Sequence, residues 1–534
     1  MIDFKWSKPY KSLGKWRREY IIPNELLNGF FQFWKNNKFK LLNDGYGVTK
    51  NKSKEWLIFE VRNDISLFDK KPPIRKEIEE PAAPDVIYNL PEYKLKNESG
   101  LRPWQIDAAS RLVSAINHWG GAVDGSQMGV GKSYTAMGTM RELCVPFAIV
   151  CPKAMINPWK SVVHDHFKLA EKCVGIINYE LLIRGRKDSD IASFVLKREL
   201  KRHKFIWKLP KNSIIIFDET HKLKNPKTKS SKCCIEAYKQ GYKLLFLSAT
   251  IAQSPLDLKT VGICLKMFKN GQAYYDWLNN HGTYKSQWGM EFNNDPKVLK
   301  KLHTYLFEER GALKRRDEIP NFPVNEIIIQ AYNINEEKVT EINKNYAAMS
   351  SELKRINTLL KKEESQLVIR LRYRQQIELL KVDLFVELAE QALESGMSVL
   401  LFMNYTETIN ALSEKLKSRC IYSGQVTDIE KQKNINEFQS NQERVIIIQC
   451  KSGNAGIGFP DLDGKHPRCS IISPDDSAVV IQQCCGRGSR ESSKSNSLVQ
   501  IPFCTGTIED NVVTNLKSKS NNIAIINDSD LKII

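Results

Sequence analysis

The stretch Ser126-Gln127-Met128-Gly129-Val130-Gly131-Lys132-Ser133 sets glycines, a lysine and a hydroxyl in an order that suits a phosphate. Glycines let backbone N–H groups turn toward an anion, the Lys132 ammonium reaches the outer phosphate oxygens, and the Ser133 hydroxyl holds Mg²⁺. Tyr134-Thr135-Ala136-Met137 can begin a helix whose positive dipole end strengthens the anion site. Its first position is Ser126 rather than Gly, and Gly120-Gly121-Ala122-Val123-Asp124 upstream is only a modest strand signal, so in isolation the match is weak and a Gly-rich turn is the lesser alternative. A second element is Ser213-Ile214-Ile215-Ile216-Phe217-Asp218-Glu219, an apolar run too short for a comfortable helix that delivers two adjacent carboxylates at its end. Asp218 would support the Mg²⁺ shell, and Glu219 would orient or deprotonate an attacking water. Two buried acids with no cation to face would be costly, which weighs against a purely structural role. In Gln483-Cys484-Cys485-Gly486-Arg487-Gly488-Ser489-Arg490, the two guanidinium groups lie on one face if the segment is helical. Arginines from a trailing lobe can meet a γ-phosphate, a role worth ~10³–10⁵ in rate. A plain surface basic cluster is the alternative, and it leaves the adjoining Gln and Gly unexplained.

The elements that would position these groups are legible as alternating strands and helices. Leu101-Arg102-Pro103-Trp104-Gln105 precedes a helical stretch, and the Gln105 amide, both donor and acceptor, suits an adenine edge. Phe147-Ala148-Ile149-Val150-Cys151 reads as a buried strand, with Pro152 and Lys153 at the carboxyl edge where open α/β sheets bind ligands. Ile176-Ile177-Asn178-Tyr179-Glu180 reads as another strand end, and Leu244-Leu245-Phe246-Leu247-Ser248-Ala249-Thr250 as a further strand ending in small hydroxyl residues. A second α/β region starts with Ser398-Val399-Leu400-Leu401-Phe402-Met403, running into Asn404-Tyr405-Thr406. The strand Arg444-Val445-Ile446-Ile447-Ile448-Gln449 then leads to Lys451-Ser452-Gly453-Asn454-Ala455-Gly456-Ile457-Gly458, whose glycines permit close approach to a phosphate backbone.

The 534 residues predict three to four domains at ~150 residues each. Residues 1–70 form an N-terminal accessory domain of small α+β type, 71–97 a Pro-rich linker, 98–268 the ATP-binding lobe, 269–395 a helical insertion and inter-lobe segment, and 396–534 a second lobe. The accessory domain interleaves Trp6, Tyr10, Trp16 and Tyr20 with cations, which suits either a nucleic-acid surface or a small core. The basic stretch from Arg184 to Lys204 reads as a solvated helical face or a phosphate contact. Val339, Ile342, Tyr346, Met349, Leu353, Ile356 and Leu360 repeat at helical spacing, as in a hairpin within the chain or a dimerising coiled coil. The hydrophobic and charged fractions of 42% and 26% are those of a globular protein, and the formal charge of +19 points to a polyanionic partner or to a merely lysine-rich, solvated surface, between which charge alone does not decide. No apolar run approaches the ~20 residues of a membrane span, and the N-terminus lacks a signal-like apolar core, so an intracellular, soluble, cytoplasmic protein is expected. The 12 cysteines contain no Cys-x-x-Cys pair, which argues against zinc and for reduced, packed thiols.

Taken in order, these parts resemble the SWI/SNF-type ATPases of helicase superfamily two over roughly residues 98–515. Leu101-Arg102-Pro103-Trp104-Gln105 is similar to the adenine-side motif, and Gln127-Met128-Gly129-Val130-Gly131-Lys132-Ser133 to the Glu-Met-Gly-Leu-Gly-Lys-Thr loop. Val150-Cys151-Pro152 with Trp159 resembles the next motif, and Asp218-Glu219-Thr220-His221-Lys222-Leu223-Lys224-Asn225 is similar to Asp-Glu-Ala-His-Arg-Leu-Lys-Asn. Leu247-Ser248-Ala249-Thr250 resembles the coupling motif, and Leu313-Lys314-Arg315-Arg316-Asp317-Glu318 the basic segment after the first lobe. Gly456-Ile457-Gly458, Gln483-x-x-Gly486-Arg487-x-x-Arg490 and Thr505-Gly506-Thr507-Ile508-Glu509-Asp510 are similar to the closing motifs. Ser473-Pro474-Asp475-Asp476 departs from the usual Trp-Asn-Pro.

The resemblance implies two RecA-like α/β lobes with parallel sheets, ATP and Mg²⁺ as cofactors, and double-stranded DNA as the nucleic-acid partner. Catalysis would fall to Lys132, Asp218, Glu219, Arg487 and Arg490, with Ser133 and Asp218 on Mg²⁺. Nucleotide would contact Arg102, Gln105, Met128, Gly129, Val130, Gly131, Lys132, Ser133, Tyr134 and Gly458. Nucleic acid would contact Pro152, Lys153, Asn178, Tyr405, Ser452 and Gly453, and His221, Thr250 and Gln483 would couple the lobes. Protein partners would dock on the N-terminal domain or the helical insertion. The activity so implied is DNA-stimulated ATP hydrolysis driving translocation in a minimal bacterial, phage or viral motor. A strand-separating or branch-migrating helicase, and a nucleic-acid-binding module with an inactive ATPase core, are the rivals.

Overall fold

The computed structural model describes residues 10–12, 15–21, 46–50, 56–62, 88–184, 195–199, 204–286, 289–332, 335–358, 363–450, 457–475, 477–505, 507 and 509–527. Helix α1 (Pro103–Trp119) opens on a proline, whose fixed φ and missing N–H suit the first helical position, and it closes at Gly120. Behind it come β1 (Gly121–Asp124), α2 (Lys132–Leu143), β2 (Phe147–Cys151), β3 (Cys173–Asn178) and α3 (Tyr179–Arg184). Strands β4 (Ile214–Asp218), β5 (Lys243–Leu247) and β6 (Gly311–Ala312) complete a parallel sheet of order β6-β1-β5-β4-β2-β3. Its strands are continuous runs of apolar residues because helices cover both faces, and β1, β2 and β4 are buried throughout. Register then decides the chemistry. Leu247 pairs with Asp124 on one side and with Asp218 on the other, so both acids leave the sheet at one level beside the phosphate-type loop.

The second lobe repeats the plan. It is built from β7 (Asn325–Tyr332), α4 (Glu336–Thr358), α5 (Glu363–Leu380), β8 (Ser398–Met403), α6 (Thr406–Lys415) and β9 (Ile421–Tyr422). It continues with α7 (Asp428–Gln439), β10 (Val445–Gln449), β11 (Arg468–Ile472), α8 (Ala478–Cys485), β12 (Ser497–Cys504) and α9 (Glu509–Asn527). The sheet is parallel, of order β7-β12-β11-β8-β10-β9. Its two faces carry separate cores, one around Phe402, Phe438 and Phe459 and the other around Phe385, Leu401 and Ile447. Both lobes are RecA-like.

Several boundaries differ from the expectation. Strands β6 and β7 come from the stretch expected to be helical, because a two-residue strand such as β6 carries no periodicity and is recruited by pairing with β1. The end of the Pro-rich linker is seated on the first lobe: Leu95 packs on Ala109 and Val113, and the Tyr93 hydroxyl donates to Glu142 at 2.7 Å. Residues 71–87 lie outside the described set. Part of the basic stretch is an antiparallel strand pair, Val195–Glu199 with Lys204–Trp207, instead of a helical face; alternate residues Phe205 and Trp207 are buried, the period of a strand. Helices α4 and α5 pack on each other within the chain, with Tyr373 donating to Glu352 at 3.2 Å. The N-terminal strands Tyr10–Ser12, Lys15–Ile21, Trp56–Arg62 and Tyr46–Lys50 form an antiparallel sheet in that order, in a separate unit that also takes in Gln272–Asn293. Among the described residues no helix is long and apolar enough to cross a membrane. All twelve cysteines are free, and all but Cys144 and Cys173 are buried.

Candidate functional site

The loop between β1 and α2 is shaped by its contacts as much as by its glycines. Gly131 has φ of 93°, and a Cβ there would lie 2.2 Å from the Gln105 amide nitrogen, so only glycine fits. The Gln105 amide donates to Val130 O at 3.1 Å and Gly131 O at 3.3 Å and accepts from the Arg102 N–H at 2.9 Å. Gln105 thus ties the start of α1 to the loop. Lys132 folds back on its own loop, donating to Ser126 O at 2.7 Å and Gln127 O at 3.1 Å. Burial pushes its ammonium pKa down, with Asp124, Glu219 and Asp218 opposing.

The acidic pair is held from the opposite direction. The Trp159 indole donates to Asp218 Oδ2 at 2.8 Å, the Glu219 N–H to Asp218 Oδ1 at 2.9 Å, and the Tyr179 hydroxyl to Asp218 O at 2.7 Å. Burial first, then the neighbouring Glu219 charge, pushes the Asp218 carboxyl up. Burial pushes Glu219 up as well, but the hydrogen bond and charge of His221, then Arg487 and Lys132, win and hold it well below its ordinary value. Glu219 itself adopts φ 54°, ψ 57°, a left-handed conformation that turns the chain sharply off β4.

From the second lobe, α8 ends at Cys485, so Arg487 and Arg490 sit in the turn after Gly486 rather than on a helical face. Their side chains converge all the same: Arg487 Nη1 donates to Ile457 O at 3.0 Å and Arg490 Nη2 to the same oxygen at 3.4 Å. Burial, then repulsion from Arg487 and Arg316, lowers the Arg490 pKa to about 9. A cluster of cations with Arg487 buried and Arg490 and Arg316 half-buried is poised for an anion. Gly458 makes room for it, since a Cβ there would lie 2.6 Å from Arg490 Nε. The two lobes enclose a cavity of about 510 Å³ lined by Arg102, Gln105, Met128 to Tyr134, Asp218, Glu219, Arg487 and Arg490. Residues more than 350 positions apart in sequence therefore face one space.

Two of the three expected coupling residues meet across this cleft. Gln483 Nε2 donates to Glu219 Oε2 at 3.3 Å and lies 3.3 Å from His221 Nδ1, which is itself 3.2 Å from Glu219. Thr250 stands apart: it is buried, its N–H donates to Ser248 Oγ at 3.2 Å, and its hydroxyl has no hydrogen-bond partner among the described residues.

The expected nucleic-acid residues are more dispersed. Pro152 is buried. Lys153 pairs with Asp428 of α7 at 2.8 Å, an exposed bridge between lobes, as is Arg102 with Glu491 at 3.3 Å. Asn178 is buried and its Oδ1 accepts the Leu181 N–H at 2.7 Å, capping α3. The Tyr405 N–H donates to buried Glu378 at 3.1 Å. Ser452, Gly453 and Gly456 lie outside the described residues, as does Asp476.

The oxygen donors suit Mg²⁺, a hard cation that takes one or two carboxylates plus substrate phosphates. Ser133 and Asp218 line the same cavity, and a cation there would oppose the burial and the Glu219 charge that raise the Asp218 pKa. No self-sufficient cluster of three His, Cys, Asp or Glu side chains occurs among the described residues. The sequence does not disclose that Trp159 and Tyr179 hold Asp218: Trp159 stands within a motif, but a tryptophan in sequence carries no mark of the acid it will meet.

Residues 47–370 match the SNF2-related domain, and residues 380–492 match the helicase conserved C-terminal domain. The chain belongs to the SNF2-related helicase-like ATPases. A protein of Acanthamoeba polyphaga mimivirus, named as an ATP-dependent RNA helicase, is 30% identical over 82% of this chain and 86% of its own length. The ISWI chromatin-remodeling complex ATPase of Saccharomyces cerevisiae is 25% identical over 39% of this chain and 19% of its own length. The Sulfolobus solfataricus SWI2/SNF2 ATPase core in complex with dsDNA, 17% identical, covers 83% of this chain and 95% of its own with a TM-score of 0.33. As an SNF2-related protein the chain is an ATP-hydrolysing, helicase-like enzyme.

Proposed function

We propose that this SNF2-related ATPase hydrolyses ATP to translocate on double-stranded DNA, remodelling it or displacing bound protein with little strand separation. The split cavity carries the reading: Lys132, Asp218 and Glu219 from one lobe and Arg487 and Arg490 from the other line a single space. On nucleotide arrival Lys132 exchanges the Ser126 and Gln127 carbonyls for phosphate oxygens. Ser133 and Asp218 would hold Mg²⁺, which would supply neutralisation of the phosphate charge. Glu219 orients the attacking water, and Arg487 and Arg490 meet the charge that develops on the γ-phosphate. Arg102 takes the adenine side, and Gln105, whose amide is committed to Val130, Gly131 and the Arg102 N–H, would read adenine only by giving up those bonds. Because Gln483 touches both Glu219 and His221, a shift of the second lobe moves the water-orienting carboxylate, the coupling a translocase needs.

The formal charge of +19 supports a polyanionic track. A second reading, an RNA or strand-separating helicase, is favoured by the name of the mimivirus relative. ATPase rate and triplex displacement, measured against duplex DNA, single-stranded DNA, forked DNA and RNA, separate the two. The expected result is strongest stimulation by duplex DNA with triplex displacement. Stimulation by RNA alone, or efficient unwinding of a plain fork, overturns it.

A further inference from the structure

The segment that joins the two lobes is stitched into the phosphate loop. Val123 N–H donates to Arg310 O at 3.1 Å, Gly125 N–H to Ala312 O at 2.9 Å, and Gln127 N–H to Lys314 O at 3.0 Å. The side chains continue the ladder, with Ser126 Oγ accepting from Lys314 N–H at 3.0 Å and Gln127 Oε1 from Arg316 N–H at 3.0 Å. Arg316 closes it. Its Nε donates to Met128 O at 2.8 Å, and its guanidinium lies 5.3 Å from the centre of the Phe322 ring. On the far side the same two residues press on the arginine-bearing turn. A Cβ on Gly486 would lie 2.7 Å from the Met128 methyl and 3.3 Å from Arg316 Nη2, and a Cβ on Gly129 would sit 3.4 Å from both Arg490 and Phe322.

We infer that Arg316 is a positioning residue that clasps the phosphate loop against the turn bearing Arg487 and Arg490, so that the arginines reach the nucleotide only when the inter-lobe segment is seated. A guanidinium does this where an ammonium cannot, because its planar fork holds one carbonyl in a fixed direction while its face stacks on an aromatic ring. The inference also assigns Ser126, at a position where such loops often carry glycine, a partner in the ladder. It rests on the reading of Arg487 and Arg490 as the groups that meet the γ-phosphate.

The test uses the full chain with saturating nucleic acid. Arg316→Lys keeps the charge but loses the Nε donor and the planar face. It should lower kcat about tenfold or more, with affinity for a fluorescent ATP analogue within about twofold of the parent and Tm unchanged. Phe322→Leu, which removes only the ring beneath the guanidinium, should lower kcat in the same way by a smaller factor. In an Arg490→Ala background Arg316→Lys should cost less than about twofold further, since a residue that acts through the arginine turn has nothing left to position. Parental kcat in both Arg316→Lys and Phe322→Leu overturns the inference, as does full additivity with Arg490→Ala. Parental turnover in Arg490→Ala itself would show that the arginine reading has failed, and the clasp with it.

Discussion

The indole N–H of Trp159 holds the Asp218 carboxylate at 2.8 Å, with Trp159 fully buried and Asp218 7% exposed. The two are 59 positions apart and meet because β2 and β4 are adjacent parallel strands whose carboxyl ends open to the same side. The acid read as a Mg²⁺ ligand is thereby fixed in direction by a donor that cannot ionise.

Replacing Trp159 by Phe keeps an aromatic ring and removes the donor. A buried acceptor left without its partner costs about 1–3 kcal/mol, and more when it is charged. Denaturant unfolding should show that loss, and ATP turnover should require more Mg²⁺ for half-maximal rate, because a loosened Asp218 binds the cation less well.

Lys132→Ala removes the ammonium that now donates to the Ser126 and Gln127 carbonyls and that we propose turns to phosphate. Loss of one preorganised charge-stabilising donor typically lowers turnover by ~10²–10³. Phosphate release measured at saturating nucleic acid checks it, and an unchanged rate would remove Lys132 from the site.

Gln483→Ala cuts the bond between the second lobe and Glu219. Hydrogen bonds to charged groups contribute about 1.5–3 kcal/mol, so nucleic-acid-stimulated ATPase should fall by roughly ten- to hundredfold. Nucleotide affinity, set mainly in the first lobe, should stay close to parental. Equal loss of both would mean that Gln483 holds nucleotide rather than coupling the lobes.

Asp383 accepts from Lys338 of α4 and Lys415 of α6, and these hydrogen bonds hold its carboxyl at about 2. A carboxyl depressed on folding adds stability that is full above the unfolded value, about 3.9, and is lost as pH falls toward 2. The group is more than half exposed, so its whole contribution is below about 1 kcal/mol. Asp383→Asn should therefore flatten a small part of the acid limb of stability and leave the neutral-pH ATPase unchanged, as followed by thermal unfolding between pH 2 and 6.

Much of the machinery was legible because its signals are local. The loop through Lys132, the acids at the end of an isoleucine run and the arginines after α8 announce themselves by residue type and spacing over a few positions, and continuous apolar runs predict parallel strands whatever the partner. What the sequence left open depends on contacts between distant segments. Nothing local marks Gly311–Ala312 as a strand, since two residues have no period, and only the free edge of β1 makes them one. Nothing near Trp159 or Arg316 names Asp218 or Met128 as its partner. Even Ser126, which looks like a departure from a phosphate loop, is explained by an N–H 188 residues downstream. Residue chemistry is written in order along the chain and determined that this protein handles a nucleoside phosphate. Hydrogen-bond partners and neighbouring charges belong to the fold, and only tertiary structure decided which side chains brace the site and bring its two halves together.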